Sequence, residues 1–280
     1  MKKIIYESTF FNIKDTLECG QTFRFIQHLN GYLVYSCDKC VYVYENLGNT
    51  VIECNDADEE YFYNYFDLAR DYKSIYDSAI KENVDILTRS ATAGKGVRIL
   101  NQDKCEMLFS FIVSQNNNIP RIKGILQKLC DKLGDKKTFM GVDYTTFPNI
   151  EVMAKQDLTF YQSIGLGYRA QYILKLAQNI ASGFSVDALS DLTTIELKES
   201  LTKIYGVGPK VADCVALFGF HRSDSFPVDV WIEKVYKQDF GGELIDRKKI
   251  AQWFTDKFGY MSGYYQQYLF YYKREKEKSN

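Results

Sequence analysis

Leu201-Thr-Lys-Ile-Tyr-Gly-Val-Gly-Pro-Lys-Val-Ala-Asp-Cys214, with Phe226-Pro-Val-Asp-Val-Trp231 just beyond it, decides how this chain is read. Leu197, Leu201 and Ile204 recur at helical spacing. Gly206 and Gly208 then interrupt the helix, and glycine enters the positive φ of a tight turn without a Cβ penalty. Pro209 suits the first position of a new helix, where an amide hydrogen would have no intrahelical partner. Val211, Val215 and Phe218 make the buried stripe of that helix. The stretch reads as helix, glycine hairpin and helix over about 194–219, then a loop at 226–231 that starts another helix.

Two pieces of chemistry follow. The amides of Gly206 and Gly208, with those of Lys210 and Val211 opening the second helix, point at one spot and make a ready anion site. No side chain in the turn is built to read a base edge, so a nucleic-acid phosphate is a fitting guest. Lys210 stands in the first turn of the helix, where the positive end favours the neutral amine, and it is a candidate nucleophile. Asp229 follows nineteen residues later at a helix start, where a carboxylate can cap the helix and face a cationic reaction centre. The plainer alternative is a helix-turn-helix corner with a surface lysine and an ordinary N-cap.

Composition sets outer limits. The chain has 280 residues, 46% hydrophobic and 15% aromatic, enough for one large domain or two to three small ones. The net charge of −1 is unlike the basic balance common in nucleic-acid binders, although a local basic face suffices. Seven scattered cysteines, an odd number, fit reduced thiols rather than a disulfide framework. No apolar run reaches membrane-spanning length and no signal-peptide pattern opens the chain, so a cytoplasmic protein is expected. The charged run Lys273 to Lys278 is expected to be frayed and solvated.

Along the chain, Gly31–Ser36, Val41–Tyr44 and Thr50–Glu53 are short, β-branched and aromatic, with turn residues between them, and predict an antiparallel sheet. From Asp58 the pattern turns helical, and residues 71–92 continue as helix. Cys105–Val113 is apolar nearly all round and predicts a central buried helix. Helices are further expected at 119–133, 151–156, 169–182, 194–204, 209–219, 229–238 and 246–257, ending in the tyrosine-rich segment Gly263–Lys273. The expected class is α+β: an N-terminal sheet-bearing part over 1–95, then a mostly helical part over 96–280.

The hairpin words Lys210-Val-Ala-Asp-Cys214 and Pro227-Val-Asp229-Val resemble the 8-oxoguanine DNA glycosylase/AP lyase family of the helix-hairpin-helix glycosylase superfamily. The likeness extends to Gly20-Gln-Thr-Phe-Arg24, Phe109-Ser-Phe-Ile, Gln115-Asn-Asn-Asn-Ile119, Gly165-Leu-Gly-Tyr-Arg-Ala170 and Gln266-Gln-Tyr-Leu-Phe270, in the family's order. It implies a monomer that acts on duplex DNA containing oxidised guanine, with Lys210 and Asp229 catalytic.

The resemblance places Gly20, Cys214, Gln266 and Phe270 around the flipped lesion base. The chemistry fits. 8-Oxoguanine carries an N7 hydrogen that guanine lacks, and a backbone carbonyl at Gly20 would accept it. Gln266 has both donor and acceptor for a Watson–Crick edge, Phe270 a stacking face, and Cys214 a small polarizable wall. The resemblance also assigns Asn116, Arg121 and Arg169 to the orphaned cytosine and Tyr168 to the wedge that fills the gap. Read singly, these residues are a turn glycine, core packing, a polar capping loop and solvated arginines. Trp231 stands where animal relatives carry a histidine.

No cysteine follows Cys214, so the iron–sulfur cluster of neighbouring branches is not expected. Cys37-Asp-Lys-Cys40 has no second pair, which favours structural cysteines over zinc. The resemblance implies a monovalent cation at the carbonyls of Thr202, Ile204 and Val207; no other cofactor is expected. Two further functions stand beside this one: a glycosylase for another purine lesion, formamidopyrimidine or alkylated, and a non-catalytic helix-hairpin-helix DNA-binding module.

Overall fold

The computed structural model describes residues 1–278. β1 (Lys2–Glu7), α1 (Ile13–Glu18), β2 (Phe25–His28), β3 (Gly31–Ser36), β4 (Lys39–Asn46) and β5 (Asn49–Cys54) open the chain. They form a five-stranded antiparallel sheet in the order β1-β5-β4-β3-β2. Alternation along β4 sends Val41 and Val43 to one face, where they meet Phe11, Ile52, Phe62 and Phe66. Cys40 and Tyr42 go to the other face with Leu33 and Tyr35.

Helices follow: α2 (Glu59–Tyr65), α3 (Tyr72–Lys81), α4 (Asp85–Ala93), α5 (Lys104–Ser114) and α6 (Ile119–Leu133). The single helix expected over 71–92 is two, because Asn83 takes a φ of +53° between α3 and α4. That left-handed residue cannot propagate a right-handed helix. A small hairpin, β6 (Lys136–Phe139) and β7 (Val142–Thr145), then lies over the outer face of the sheet. Phe139 packs with Leu33 and Tyr42, and Tyr144 stacks on Tyr35 at 5.4 Å. The sequence reading missed this hairpin.

The rest is α7 (Ile150–Ala154), α8 (Leu158–Ser163), α9 (Ala170–Ala181), α10 (Thr194–Thr202), α11 (Pro209–Phe218), α12 (Val230–Asp239), α13 (Arg247–Phe258) and α14 (Ser262–Lys278). α5 is the central helix, buried from Glu106 through Val113. Its core includes side chains of α3, α4, α6, α9, α11 and α14. The fold is therefore α+β, as expected.

The sheet and the helical body meet at a buried ion pair. Arg24 Nη1 lies 3.1 Å from both carboxylate oxygens of Glu106, and Arg24 Nη2 donates to the Thr145 carbonyl at 2.8 Å. The Cys37 amide donates to Glu106 at 2.7 Å.

The run from Lys273 is not frayed where the structure describes it. Lys273 pairs with Asp239 at 3.1 Å and Arg274 is buried, because Tyr264, Tyr265, Tyr268 and Leu269 anchor α14 in the core. The side chains beyond Glu275 lie outside the described residues.

Candidate active site

The hairpin is built as its sequence dictates. Thr193 and Glu196 form a capping box at the start of α10, and Leu197, Leu201 and Ile204 are buried. Gly206 has a φ of +89°, and a Cβ there would lie 2.3 Å from the Tyr172 ring. Gly208 caps α11 and Pro209 is its first residue. The Val207 amide returns to the Ile204 carbonyl at 2.9 Å. Gln115 reaches across from the end of α5 and donates Nε2 to the Gly206 carbonyl at 2.8 Å, which fixes the asparagine loop to the hairpin. Tyr205 is 50% exposed at the tip, edge-on to Tyr172.

Behind the hairpin is a half-open cavity of about 50 Å³. Lys210, Asp229, Cys214, Gly20, Gln266 and Phe270 all border it, although they are scattered over most of the chain. Lys210 projects from the first turn of α11, with Nζ 5.7 Å from the centre of the Phe111 ring. Asp229 caps α12, its Oδ1 accepting the amides of Trp231 and Ile232 at 3.0 Å each. Burial raises the pKa of that carboxyl, while the two amides and Lys210 oppose the rise. Burial also pushes the Cys214 thiol up to about 11, with Lys210 opposing.

Gln266 donates Nε2 to the Pro227 carbonyl at 3.2 Å, and its buried Oε1 has no partner. An unpaired buried acceptor facing a cavity is an unspent contact for a ligand. Gly20 has a φ of +86° in the turn before β2. Gln21 holds that turn, donating to the carbonyls of Thr16 and Arg98 and accepting the Leu100 amide. Cys19, Phe111, Phe218, Pro227 and Gln267 also line the cavity and were missed from the sequence. Cys19 and Gln267 stand beside Gly20 and Gln266, while Phe111, Phe218 and Pro227 lie within stretches read above as a buried helix, a buried stripe and the Pro-Val-Asp loop.

The residues expected at the opposite base gather at the asparagine loop. Asn116 is exposed with a φ of +45°, and Asn118 caps α6. Arg121 is exposed, with one nitrogen 3.4 Å from the Gly165 carbonyl. Tyr168 is 53% exposed. Arg169 departs from the expectation. It is buried, and its guanidinium donates to the carbonyls of Gln115 and Asn116, so in this structure it braces the loop rather than facing outward. Its guanidinium carbon also sits 4.4 Å from the Tyr168 ring centre. Trp231 is half-buried beside Lys234, at 4.7 Å.

Among the described residues, no helix is long and apolar enough to cross a membrane. The thiols of the CxxC differ in place: Cys37 sits in the turn after β3 and Cys40 is buried in β4.

Two family models match in tandem. Residues 3–108 fit the 8-oxoguanine DNA glycosylase N-terminal domain, and residues 109–258 fit the HhH-GPD superfamily base excision DNA repair protein. An N-glycosylase/DNA lyase of Saccharomyces cerevisiae is 32% identical over 81% of this chain and 68% of its own length. A solved structure of MBOgg1 in complex with a low-affinity DNA ligand superposes with a TM-score of 0.93, at 38% identity, covering 98% of this chain and 96% of that one. The Clostridium acetobutylicum 8-oxoguanine glycosylase/lyase, in complex with double-stranded DNA containing cytosine opposite 8-oxoG, gives a TM-score of 0.90 at 35% identity, covering 95% and 93%. On the family models and these relatives together, the chain belongs to the HhH-GPD superfamily of base excision DNA repair proteins and, within it, to the 8-oxoguanine DNA glycosylase/AP lyase family.

Proposed function

We propose that this protein excises 8-oxoguanine opposite cytosine from duplex DNA and then nicks the strand as an AP lyase. One observation carries the reading: Lys210 and Asp229 border a single cavity behind the hairpin, together with the unpaired acceptor of Gln266. A DNA-binding module without catalysis has no use for an amine and a carboxylate set around such a recess.

The amides of Gly206, Gly208, Lys210 and Val211 hold a phosphate beside the lesion. Tyr168 fills the gap left by the flipped nucleotide, and Asn116 and Arg121 meet the cytosine. Arg169 positions the loop that carries Asn116 and turns toward the cytosine only by releasing those carbonyls. The base enters with N7–H toward Gly20, its Watson–Crick edge on Gln266 and its faces between Phe270 and Cys214.

Lys210, as the free amine, attacks C1′ while the C1′–N9 bond breaks and its electron pair leaves with the base. Asp229, as carboxylate, stabilises the positive charge developing on the sugar. The sugar ring opens to an imine on Lys210. Removal of a C2′ proton then expels the 3′-oxygen, which cuts the strand. The carbonyls at the end of α10 and in the turn, from Thr202, Ile204 and Val207, are neutral oxygens suited to a monovalent cation. Such an ion would add positive charge facing a phosphate. No other cofactor has a place in these steps, and the reaction belongs to the cytoplasm, on the chromosome.

Borohydride trapping on an 8-oxoguanine·cytosine duplex tests the proposal. A covalent DNA adduct is expected from the wild type and none from Lys210→Gln. Equal trapping by the variant would overturn the assignment. Parallel duplexes carrying alkylated purines should be left intact.

A further inference from the structure

The C-terminal helix carries a cation that the steps above leave without a task. Arg274 lies one turn beyond Phe270 on α14 and is 7% exposed. Its Nη2 donates to the Glu18 carbonyl at the end of α1 and lies 3.2 Å from Glu275. Its Nε and Nη1 are buried without a partner. Nη1 faces the Gly20 turn, standing 3.1 Å from where a Cβ on Gly20 would be. The guanidinium carbon is 5.4 Å from the centre of the Phe270 ring. Two turns earlier, Gln267 donates Nε2 to the Cys19 carbonyl at 3.4 Å. α14 therefore grips the turn at 18–20 in two places, and Cys19, Gly20, Gln267 and Phe270 all border the cavity. Buried donors with no acceptor are unfavourable, and an apolar side chain of similar volume would fill this space without them. Packing alone does not account for an arginine here.

We propose that Arg274 is a positioning residue for base recognition: it fixes the Gly20 turn against Phe270, at the end of the cavity that receives the oxidised edge of the purine. This rests on the cavity being an 8-oxoguanine pocket. That edge of 8-oxoguanine carries two carbonyl oxygens, O6 and O8, on either side of N7–H. Guanine offers a lone pair at N7 in place of the hydrogen, and C8–H in place of O8. The Gly20 carbonyl accepts N7–H of the lesion and repels the N7 lone pair of guanine, so discrimination depends on the turn being held where Arg274 and Gln267 hold it. At an abasic site there is no base edge for the turn to meet.

The test compares Arg274→Met, Arg274→Gln and Arg274→Lys with wild type under single turnover. Two duplexes are used, one with 8-oxoguanine and one with a preformed abasic site, each opposite cytosine, and each protein is melted in parallel. In Arg274→Met the ratio of base excision to abasic-site cleavage is expected to fall about tenfold or more, with Arg274→Lys recovering part of the loss. Should Arg274→Met not fold, Arg274→Gln, which is shorter and has one amide for the turn, is expected to show a fall in the same direction. An unchanged ratio overturns the proposal, including the case where both activities drop together with the melting temperature, as a merely structural arginine would make them. A wild type that leaves 8-oxoguanine in place would instead overturn the substrate assignment, and this proposal with it.

Discussion

Asp229 performs two tasks with one carboxylate: it caps α12 through Oδ1 and borders the cavity opposite Lys210. Burial is the main cause of its raised pKa, from an ordinary 3.8. The native state thus holds this proton more tightly than the unfolded chain does. Its ionised form consequently weakens the fold at neutral pH, and stability from protonation is gained as pH falls through the raised pKa. Catalysis runs the other way, since the charge is what faces the sugar. Single-turnover excision should therefore fail on the acid side at a pH above 3.8, which a pH–rate profile will show. Asparagine caps helices as well as aspartate does. Asp229→Asn should keep or raise the melting temperature at pH 7 while excision drops by roughly a hundredfold or more. Lys210 and Asp229 were legible because their neighbours, Gly-Val-Gly-Pro and Pro-Val, dictate local backbone. Arg169 was not, since which carbonyls a guanidinium finds depends on a loop some fifty residues earlier.

The helix-hairpin-helix shows the same division one level up. Its glycines and proline announce it in the sequence, but the reason Gly206 must be glycine is Tyr172, which lies 2.3 Å from where a Cβ would stand. Gly206→Ala combines that clash with a φ of +89°. It should cost at least about 2 kcal/mol in urea denaturation and weaken duplex binding, as read by fluorescence anisotropy. The β6–β7 hairpin went unread although Gly141, at a φ of +77°, marks its turn. The strands of that hairpin are four residues each and β6 is exposed up to Phe139, so Lys136-Lys-Thr-Phe139 shows no buried alternation. What holds them is tertiary: Tyr144 on Tyr35, and Lys137 on Asp38 at 2.7 Å. The break between α3 and α4 was likewise hidden, because apolar spacing continues through it.

In the whole molecule, the sheet and the helical body depend on Arg24 and Glu106. Burial raises the Glu106 pKa, with Arg24 and the Cys37 amide opposing. Removing one partner strands the other in a dry seam. Glu106→Ala should lose about 3–5 kcal/mol of stability in chemical denaturation. The replacement of both residues by apolar ones of similar size should recover much of it. The α+β division was legible from the change of hydrophobic period after residue 58. The closure of the cavity was not, because its walls come from residues near 20 and near 270. No local pattern carries that pairing.

That pairing also orders events at the ribosome. The grip on a phosphate is encoded by residue 211, yet Phe270 emerges some sixty codons later. At about 5–20 residues per second, the interval is roughly 3–12 s. During it, a nascent chain owns no niche for a damaged letter. A message truncated before the final helix would lose that niche together with Tyr264, Tyr265, Tyr268 and Leu269, which help to fill the helical interior.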